Sequence, residues 1–203
     1  MHHKVSKKDH ILQSLVILLE RSDNIRITTV RLAQETGVSE AALYKHFPSK
    51  AHMFEELIDF IEKTIFTRVN LILAEEKDQL IQLEKIMKLL LLFVEKNPGL
   101  CRILTREVLI NEHKRLQTRV EKLFDRIETQ IRQLLKEAEI HGCIKMLLLK
   151  TTITRLFINL FDGRINQYVR SNFQIKPTED WDSIWSLFKN QLFTTCTLLS
   201  NTG

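Results

Sequence analysis

The sequence predicts an all-α protein of about nine helices, with a three-helix N-terminal head in front of a helical body. Only five glycines and three prolines occur among 203 residues, so long stretches contain no helix breaker. Apolar residues recur at spacings of three and four along most of the chain, which is the period of a helix with one buried face. No glycine- or serine-rich linker divides the chain. We therefore expect a long helix to join a DNA-binding domain over residues 1–48 to a body over residues 49–203.

Capping residues predict a helix-turn-helix at about residues 28–47 of the head. Thr28 or Thr29 can accept a hydrogen bond from the first free N–H groups of a helix, and Gly37 suits the left-handed residue that ends it. Ser39 can cap a second short helix, which should close at a Phe-Pro pair because the residue before proline disfavours helix.

Helical periodicity places the other elements around this motif. Ser49 can cap the long helix that follows it. Two breaks, at Asn97-Pro98-Gly99 and at His141-Gly142, should separate later helices. The seven helices outside the motif are predicted over residues 7–21, 49–76, 79–95, 100–110, 111–139, 145–172 and 178–199.

The second helix of the motif carries side chains suited to a DNA groove. Its outward faces present Glu40, Ala41, Tyr44, Lys45 and His46. A phenol, basic groups and a small side chain suit a groove lined by phosphates and base edges. A plain helical hairpin in an all-α protein is the alternative interpretation of the same spacing.

The charge distribution also favours nucleic acid as a partner. The formal net charge is +5, and residues 1–50 hold eight Lys and Arg against five Asp and Glu. A basic surface gains affinity for DNA by releasing condensed counterions. The excess is modest, but a dimer would present it twice on one face of the DNA.

No catalytic or cofactor-binding pattern stands out. The sequence has no glycine-rich phosphate loop, no Ser-His-Asp set and no metal-ligand spacing, so we expect no enzyme activity, no cofactor and no metal. Cys101, Cys143 and Cys196 form no CxxC pair. Without a secretory leader or a sufficiently long apolar run, this cysteine usage indicates free thiols in a cytoplasmic protein.

The last two predicted helices carry apolar stripes that look too wide for a monomer. We expect two-fold pairing of these helices into a four-helix bundle, which would also let two DNA-binding heads reach two half-sites. Packing of the stripes against the body of the same chain is the alternative. The predicted interface residues are Phe157, Leu160, Phe161, Trp181, Trp185 and Phe188.

A second surface is predicted on the two central helices. With about 100° of rotation per residue, Phe60 and Arg68 on the first helix fall outside its core stripe. Leu89 and Leu92 on the second do the same, in line with Lys96. An apolar groove with basic rims suits a short peptide that is acidic and apolar. Burial of these helices on every side, and a pocket for a small ligand, are the alternatives that the pattern leaves open.

The run VSEAALYKHFPSK, residues 38–50, resembles the recognition helix of TetR-type transcription factors, whose most specific signature is a YxHFxxK ending. The resemblance implies that Tyr44, His46 and Lys50 hold phosphates and that residues between Ser39 and Lys45 meet base edges. For the whole motif we predict phosphate contacts from Thr28, Thr29, Ser39, Tyr44, His46 and Lys50, and base contacts from Glu40, Ala41 and Lys45.

Beyond the head, the chain resembles the nucleoid occlusion factors, TetR-type proteins that block division over the chromosome. The matching segments are ILQSL (11–15), RITT (26–29), LIDFIEKTIFTRVNLIL (57–73), EKNPGLCRILT (95–105), RLQTRVEKLFDRIETQIRQLLKE (115–137) and YVRSNFQIKPTEDWD (168–182). The resemblance implies a nucleoid-associated homodimer that binds palindromic chromosomal DNA and the acidic, apolar C-terminal tail of the division protein FtsZ simultaneously. Such a protein would disrupt FtsZ polymers and prevent Z-ring assembly.

The positions that match the FtsZ contact surface of that family are Phe60, Arg68, Leu89, Leu92, Lys96 and Asn97. Two of them depart from the family pattern. Leu92 stands where the family tends to have a small residue, and Lys96 stands where it often has arginine, whose planar fork lysine lacks. A ligand-responsive TetR-type repressor of nearby genes is the alternative function.

Overall fold

The computed structural model describes residues 6–21, 27–110, 112–141 and 144–195, which form nine α-helices and one β-ribbon. The all-α class predicted from the sequence is confirmed. No helix in the described ranges is long and apolar enough to cross a membrane. The helices are α1 (Lys7–Arg21), α2 (Thr29–Thr36), α3 (Glu40–His46), α4 (Lys50–Glu75), α5 (Gln79–Lys96), α6 (Pro98–Leu104), α7 (Lys114–Ile140), α8 (Lys150–Arg170) and α9 (Trp181–Leu192); a 3₁₀ turn spans Glu107–Leu109, and the strands are β1 (Ile144–Met146) and β2 (Phe193–Thr195).

The helix-turn-helix is built by the local caps that the sequence predicts. Thr28 Oγ1 accepts a hydrogen bond from the backbone N–H of Arg31 at 3.2 Å, and Ser39 Oγ accepts one from Ala42 at 3.2 Å. Gly37 ends α2 with a φ of 66°. This left-handed conformation carries little steric strain for glycine because glycine has no Cβ. As a result, α2 and α3 fall within the predicted range.

The body is organised around α5, which packs against α4, α6, α7 and α8. One apolar stripe of α5 faces the core, because Leu83, Met87, Leu90 and Val94 have no exposed surface. Leu91 is buried as well, at 1% exposure. The additional burial follows from the position of α5 between helices on more than one side.

Two helices connect the head to the body. α4 runs unbroken from the helix-turn-helix into the body, and α1 lies along α6. Lys8 on α1 also pairs with Glu56 on α4 at 2.5 Å. The head is therefore fixed to the body by packing as well as by the continuous chain.

Three predicted helix boundaries are wrong. The sequence predicts helix over residues 145–149 and from 193 onward, but β1 pairs antiparallel with β2, with Ile144 opposite Thr195. This pairing joins residues far apart in the chain, so apolar periodicity could not indicate it. The short helix predicted over residues 100–110 is also split, into α6 and the 3₁₀ turn. Asn111, the predicted start of α7, Gly142 of the predicted break and residues 196–199 of the predicted last helix lie outside the described ranges.

Candidate nucleic-acid interface and partner groove

The outer face of α3 is open to solvent. Tyr44, Lys45 and His46 are exposed, and Tyr44 presents 48% of its surface. Glu40 and Ala41 at the start of the helix are exposed as well. The short helix thus displays every side chain that the sequence predicts on its outward faces, while its opposite side packs against α1 and α2.

The hydroxyl groups predicted to hold phosphates are in two different situations. Thr28 and Ser39 accept the cap hydrogen bonds, and an accepting hydroxyl keeps its own proton for donation to another group. Thr29 instead donates its proton to the Glu40 carboxylate at 2.6 Å. A phosphate at Thr29 would therefore compete with Glu40, which is itself a predicted base contact.

Lys50 has partners that the sequence did not predict. Its ammonium donates to the backbone carbonyl of Ile27 at 2.9 Å and pairs with the Glu112 carboxylate. The side chains of Lys50 and Glu112 keep only 26% and 13% of their surface exposed. In this conformation Lys50 links the head to the body, so its predicted phosphate contact would require the ammonium to leave these partners.

An apolar groove of about 510 Å³ lies between the head and the body. It brings together Phe60 of α4 and Asn97 at the end of α5, two of the six predicted FtsZ contacts. The opposite wall consists of α1, chiefly through Leu12, Val16 and Ile17. Sequence reasoning missed this wall because the main stripe of α1 faces the core; the additional apolar residues beside that stripe were the only indication.

The other four predicted contacts are not all as exposed as expected. Arg68 and Lys96 are exposed, and neither has an ion-pair partner among the described residues. Leu89 and Leu92, expected to point away from the core, are instead half-buried, and Leu89 packs against the core. α5 is covered on several sides, so its off-stripe leucines are partly enclosed. These four residues do not line the groove that Phe60 and Asn97 share.

The predicted dimer residues lie mostly inside one protomer. Phe157, Phe161, Trp181 and Trp185 are between 0% and 4% exposed, so the chain itself covers them. The stripe width therefore reflects packing within the protomer at these four positions, which corrects the argument that they need a second copy. Leu160 and Phe188 are half-buried and keep some surface for a partner. The exposed face of α9 also carries Leu187, at 58% exposure, which the prediction omitted.

Cys101 is the one cysteine within the described ranges, and Cys143 and Cys196 lie outside them. The Cys101 thiol is buried, and burial raises its pKa because the thiolate would lose its hydration. Among the described residues, no group of three or more His, Cys, Asp or Glu side chains is placed to hold a metal ion.

The fold is shared with solved TetR-type regulators. The MbdR regulator from Azoarcus sp. CIB has a TM-score of 0.77 at 16% identity, with 93% of this chain and 100% of that chain covered. A TetR transcription regulator from Haloarcula marismortui has a TM-score of 0.76 at 16% identity, with 93% and 98% covered. Residues 26–57 match the family of bacterial regulatory proteins called the tetR family. The fold and its helix-turn-helix head define a TetR-type DNA-binding protein.

Comparison of the body with known proteins identifies the family more specifically. Residues 77–193 match the SlmA-like family, described as a tetracyclin repressor-like C-terminal domain. The nucleoid occlusion factor SlmA of Shewanella amazonensis is 47% identical over 189 residues, covering 93% of this chain and 96% of that protein. The SlmA of Alteromonas mediterranea is 49% identical over 190 residues, covering 94% and 97%. This chain belongs to the SlmA family of nucleoid occlusion factors.

Proposed function

We propose that this protein is a DNA-associated inhibitor of cell division that binds palindromic chromosomal sites and the FtsZ C-terminal tail at the same time. Holding the tail on DNA would disrupt FtsZ polymers and prevent Z-ring assembly over the nucleoid. The observation that carries the proposal is the groove beside the DNA-binding head, in which Phe60 and Asn97 lie together. The names of relatives at 47% and 49% identity support the same process.

On the DNA side, α3 would lie in the major groove with its exposed face toward the duplex. Tyr44 and His46 would donate to phosphate oxygens, and Lys45 would meet a base edge. Thr28 and Ser39 would add donors from the caps, with Glu40 and Ala41 beside the bases. Thr29 and Lys50 would join these contacts only by exchanging their present partners, Glu40 and Glu112.

On the partner side, the tail would supply carboxylates and apolar side chains. Phe60, with 51% of its surface exposed, is the aromatic anchor, and exposed aromatic residues in pockets contribute strongly to binding. Arg68 and Lys96, which are exposed and unpaired within the described ranges, attract the acidic segment. Leu89 and Leu92, which are half-buried, would add apolar surface on α5.

The protein would act as a homodimer through the outer faces of α8 and α9. Leu160, Phe188 and the exposed Leu187 provide apolar surface there. A dimer presents two heads to the two halves of a palindrome. Its place of action would be the cytoplasm, on the nucleoid.

The proposal is tested by the binding of a fluorescent FtsZ C-terminal peptide to the full chain, with and without chromosomal fragments that the protein retains in gel shifts. We expect binding that strengthens with DNA, and because coupling between two ligands is reciprocal, the peptide should then tighten DNA binding by the same factor. Phe60→Glu should weaken peptide binding by about tenfold or more. Ile140→Glu, which changes a residue with 67% exposure at the end of α7, is the control and should leave binding unchanged.

Two results would contradict the proposal. Wild-type protein that holds DNA but binds no peptide would exclude the FtsZ role and direct attention to a ligand-responsive repressor, which predicts release of DNA by a small molecule. Equal binding by Phe60→Glu and Ile140→Glu would place the peptide somewhere other than this groove.

A further inference from the structure

We infer that a cavity between α6 and α8 binds a small oxyanion, a carboxylate or a phosphate group, through Arg102 and Arg170. The cavity has a volume of about 610 Å³ and shares no lining residue with the groove beside the head. Its walls are the end of α6, the 3₁₀ turn and the last turn of α8. A cavity of this size has ample room for an anion of a few heavy atoms. The inference does not depend on binding of the FtsZ tail.

The first support is the buried guanidinium of Arg102. Only 6% of this side chain is exposed, and burying a cation is costly unless its charge and its donors are matched. Its partner is the Glu107 carboxylate, whose two oxygens both approach the same nitrogen, Nη1, at 3.3 and 3.2 Å. A strong arginine–carboxylate pair instead uses two nitrogens, in parallel bonds of about 2.7–2.9 Å. The pairing of Arg102 with Glu107 is therefore incomplete.

The second support is the donor that this pair leaves unused. Arg102 Nε is buried and has no hydrogen-bond partner in the described part of the chain. The Phe173 ring, whose centroid lies 5.3 Å from the guanidinium carbon, provides no oxygen to accept that proton. A buried N–H group without an acceptor is uncommon in folded proteins. An oxyanion that replaced Glu107 in the plane of the guanidinium would complete the two-nitrogen fork.

The third support is a second arginine in the lining of the same cavity. Arg170 is exposed and has no ion-pair partner within the described ranges. The lining therefore carries two positive charges, on Arg102 and Arg170, against the single carboxylate of Glu107. This excess of positive charge complements an anion. Apolar surface for the remainder of a ligand comes from Ile110 and Val169. Glu107 is thus the internal competitor of the bound anion.

The test measures thermal unfolding of the full-length protein in sodium phosphate and in sodium succinate, each compared with sodium chloride at the same ionic strength. An anion at about five times its Kd should raise the melting temperature of wild type by about 2–4 °C. Arg170→Met should lose most of that rise. Arg155→Met is the matched control and should keep it, because Arg155 is an exposed arginine of the same helix that does not line the cavity.

A further variant tests the role of Glu107. Glu107→Gln removes the competing carboxylate and should lower the anion concentration that gives half of the rise by about two- to fivefold. Equal rises in wild type, Arg170→Met and Arg155→Met would overturn the site, because phosphate stabilises folded proteins in general by its exclusion from their surfaces. No rise in wild type with either anion would overturn it as well. A rise with only one of the two anions, lost in Arg170→Met, would support the site and identify the group that it binds.

Discussion

The contact between Gly99 and Val16 makes a prediction about stability that needs no assumption about function. Gly99→Ala places a methyl carbon 2.2 Å from the Val16 carbonyl oxygen and 3.1 Å from the carbonyl carbon and Cγ1 of the same residue. An ordinary carbon–oxygen contact is about 3.3–3.6 Å, so α1 must move away from α6 by roughly 1 Å. The Val16 backbone cannot rotate away from the new methyl group as a flexible side chain could.

The expected cost of that movement is about 1–3 kcal/mol, the range for overpacked cores. For a chain of this length each kcal/mol lowers the melting temperature by about 2–4 °C. Thermal unfolding followed by circular dichroism measures the shift.

Gly163→Ala is the matched control for this substitution. The added Cβ meets nothing within 4 Å, and alanine in a helix is more favourable than glycine by about 1 kcal/mol. Its melting temperature should stay unchanged or rise, with sedimentation confirming the same oligomeric state. A Gly99→Ala protein that melts at or above the wild-type temperature would refute the close seat of α1 on α6.

Three other features of the structure each lead to a prediction. Glu112→Gln removes the carboxylate that holds Lys50 and should tighten DNA binding in gel shifts if phosphate takes the freed ammonium, while Lys50→Met should weaken it. Cys101 should resist alkylation by iodoacetamide in the folded protein and react in urea, as peptide mass spectrometry would show, because burial raises the pKa of its thiol. A hydrogen bond from Lys85, aided by backbone N–H groups, lowers the pKa of Glu76 from 4.5 to about 2. The stabilisation by Glu76 is therefore complete above about pH 4.5 and is lost as the pH falls toward 2, so acid should lower the melting temperature of wild type more steeply than that of Glu76→Gln.

The parts of the structure that the sequence predicts are those that neighbouring residues determine. Thr28, Ser39 and Ser49 each cap a helix by accepting a hydrogen bond from the N–H three residues ahead, and Gly37 ends α2 within the same motif. The spacing of the residues in the sequence is enough to predict such contacts. The start and end of α1 and the positions of α2 and α3 could therefore be predicted closely.

The parts that the sequence does not reveal depend on residues distant in the chain. The β-ribbon needs residues 144–146 to meet residues 193–195, and Lys50 needs Glu112, which lies far along the chain from it. A helical wheel of α4 correctly predicts that Phe60 is exposed. A wheel of one helix cannot show that α1 forms the opposite wall of the groove. For Leu89, the helical wheel predicts the direction of the side chain. It does not reveal the neighbouring helix that leaves this side chain half-buried.

The attachment of the head offers a physical route for coupling DNA to the partner. Contacts among the described residues that help to hold the head include Gly99 against Val16, Lys50 with Ile27 and Glu112, and Lys8 with Glu56. A change in head orientation that moves α1 relative to α6 would disturb the first of them, and Val16 in that contact also lines the groove. If DNA favours the orientation that closes the groove on a peptide, the peptide must favour DNA by the same factor, since both ligands select one state. Coupling that persists unchanged when Gly99→Ala shifts α1 would show that the two sites communicate by another path.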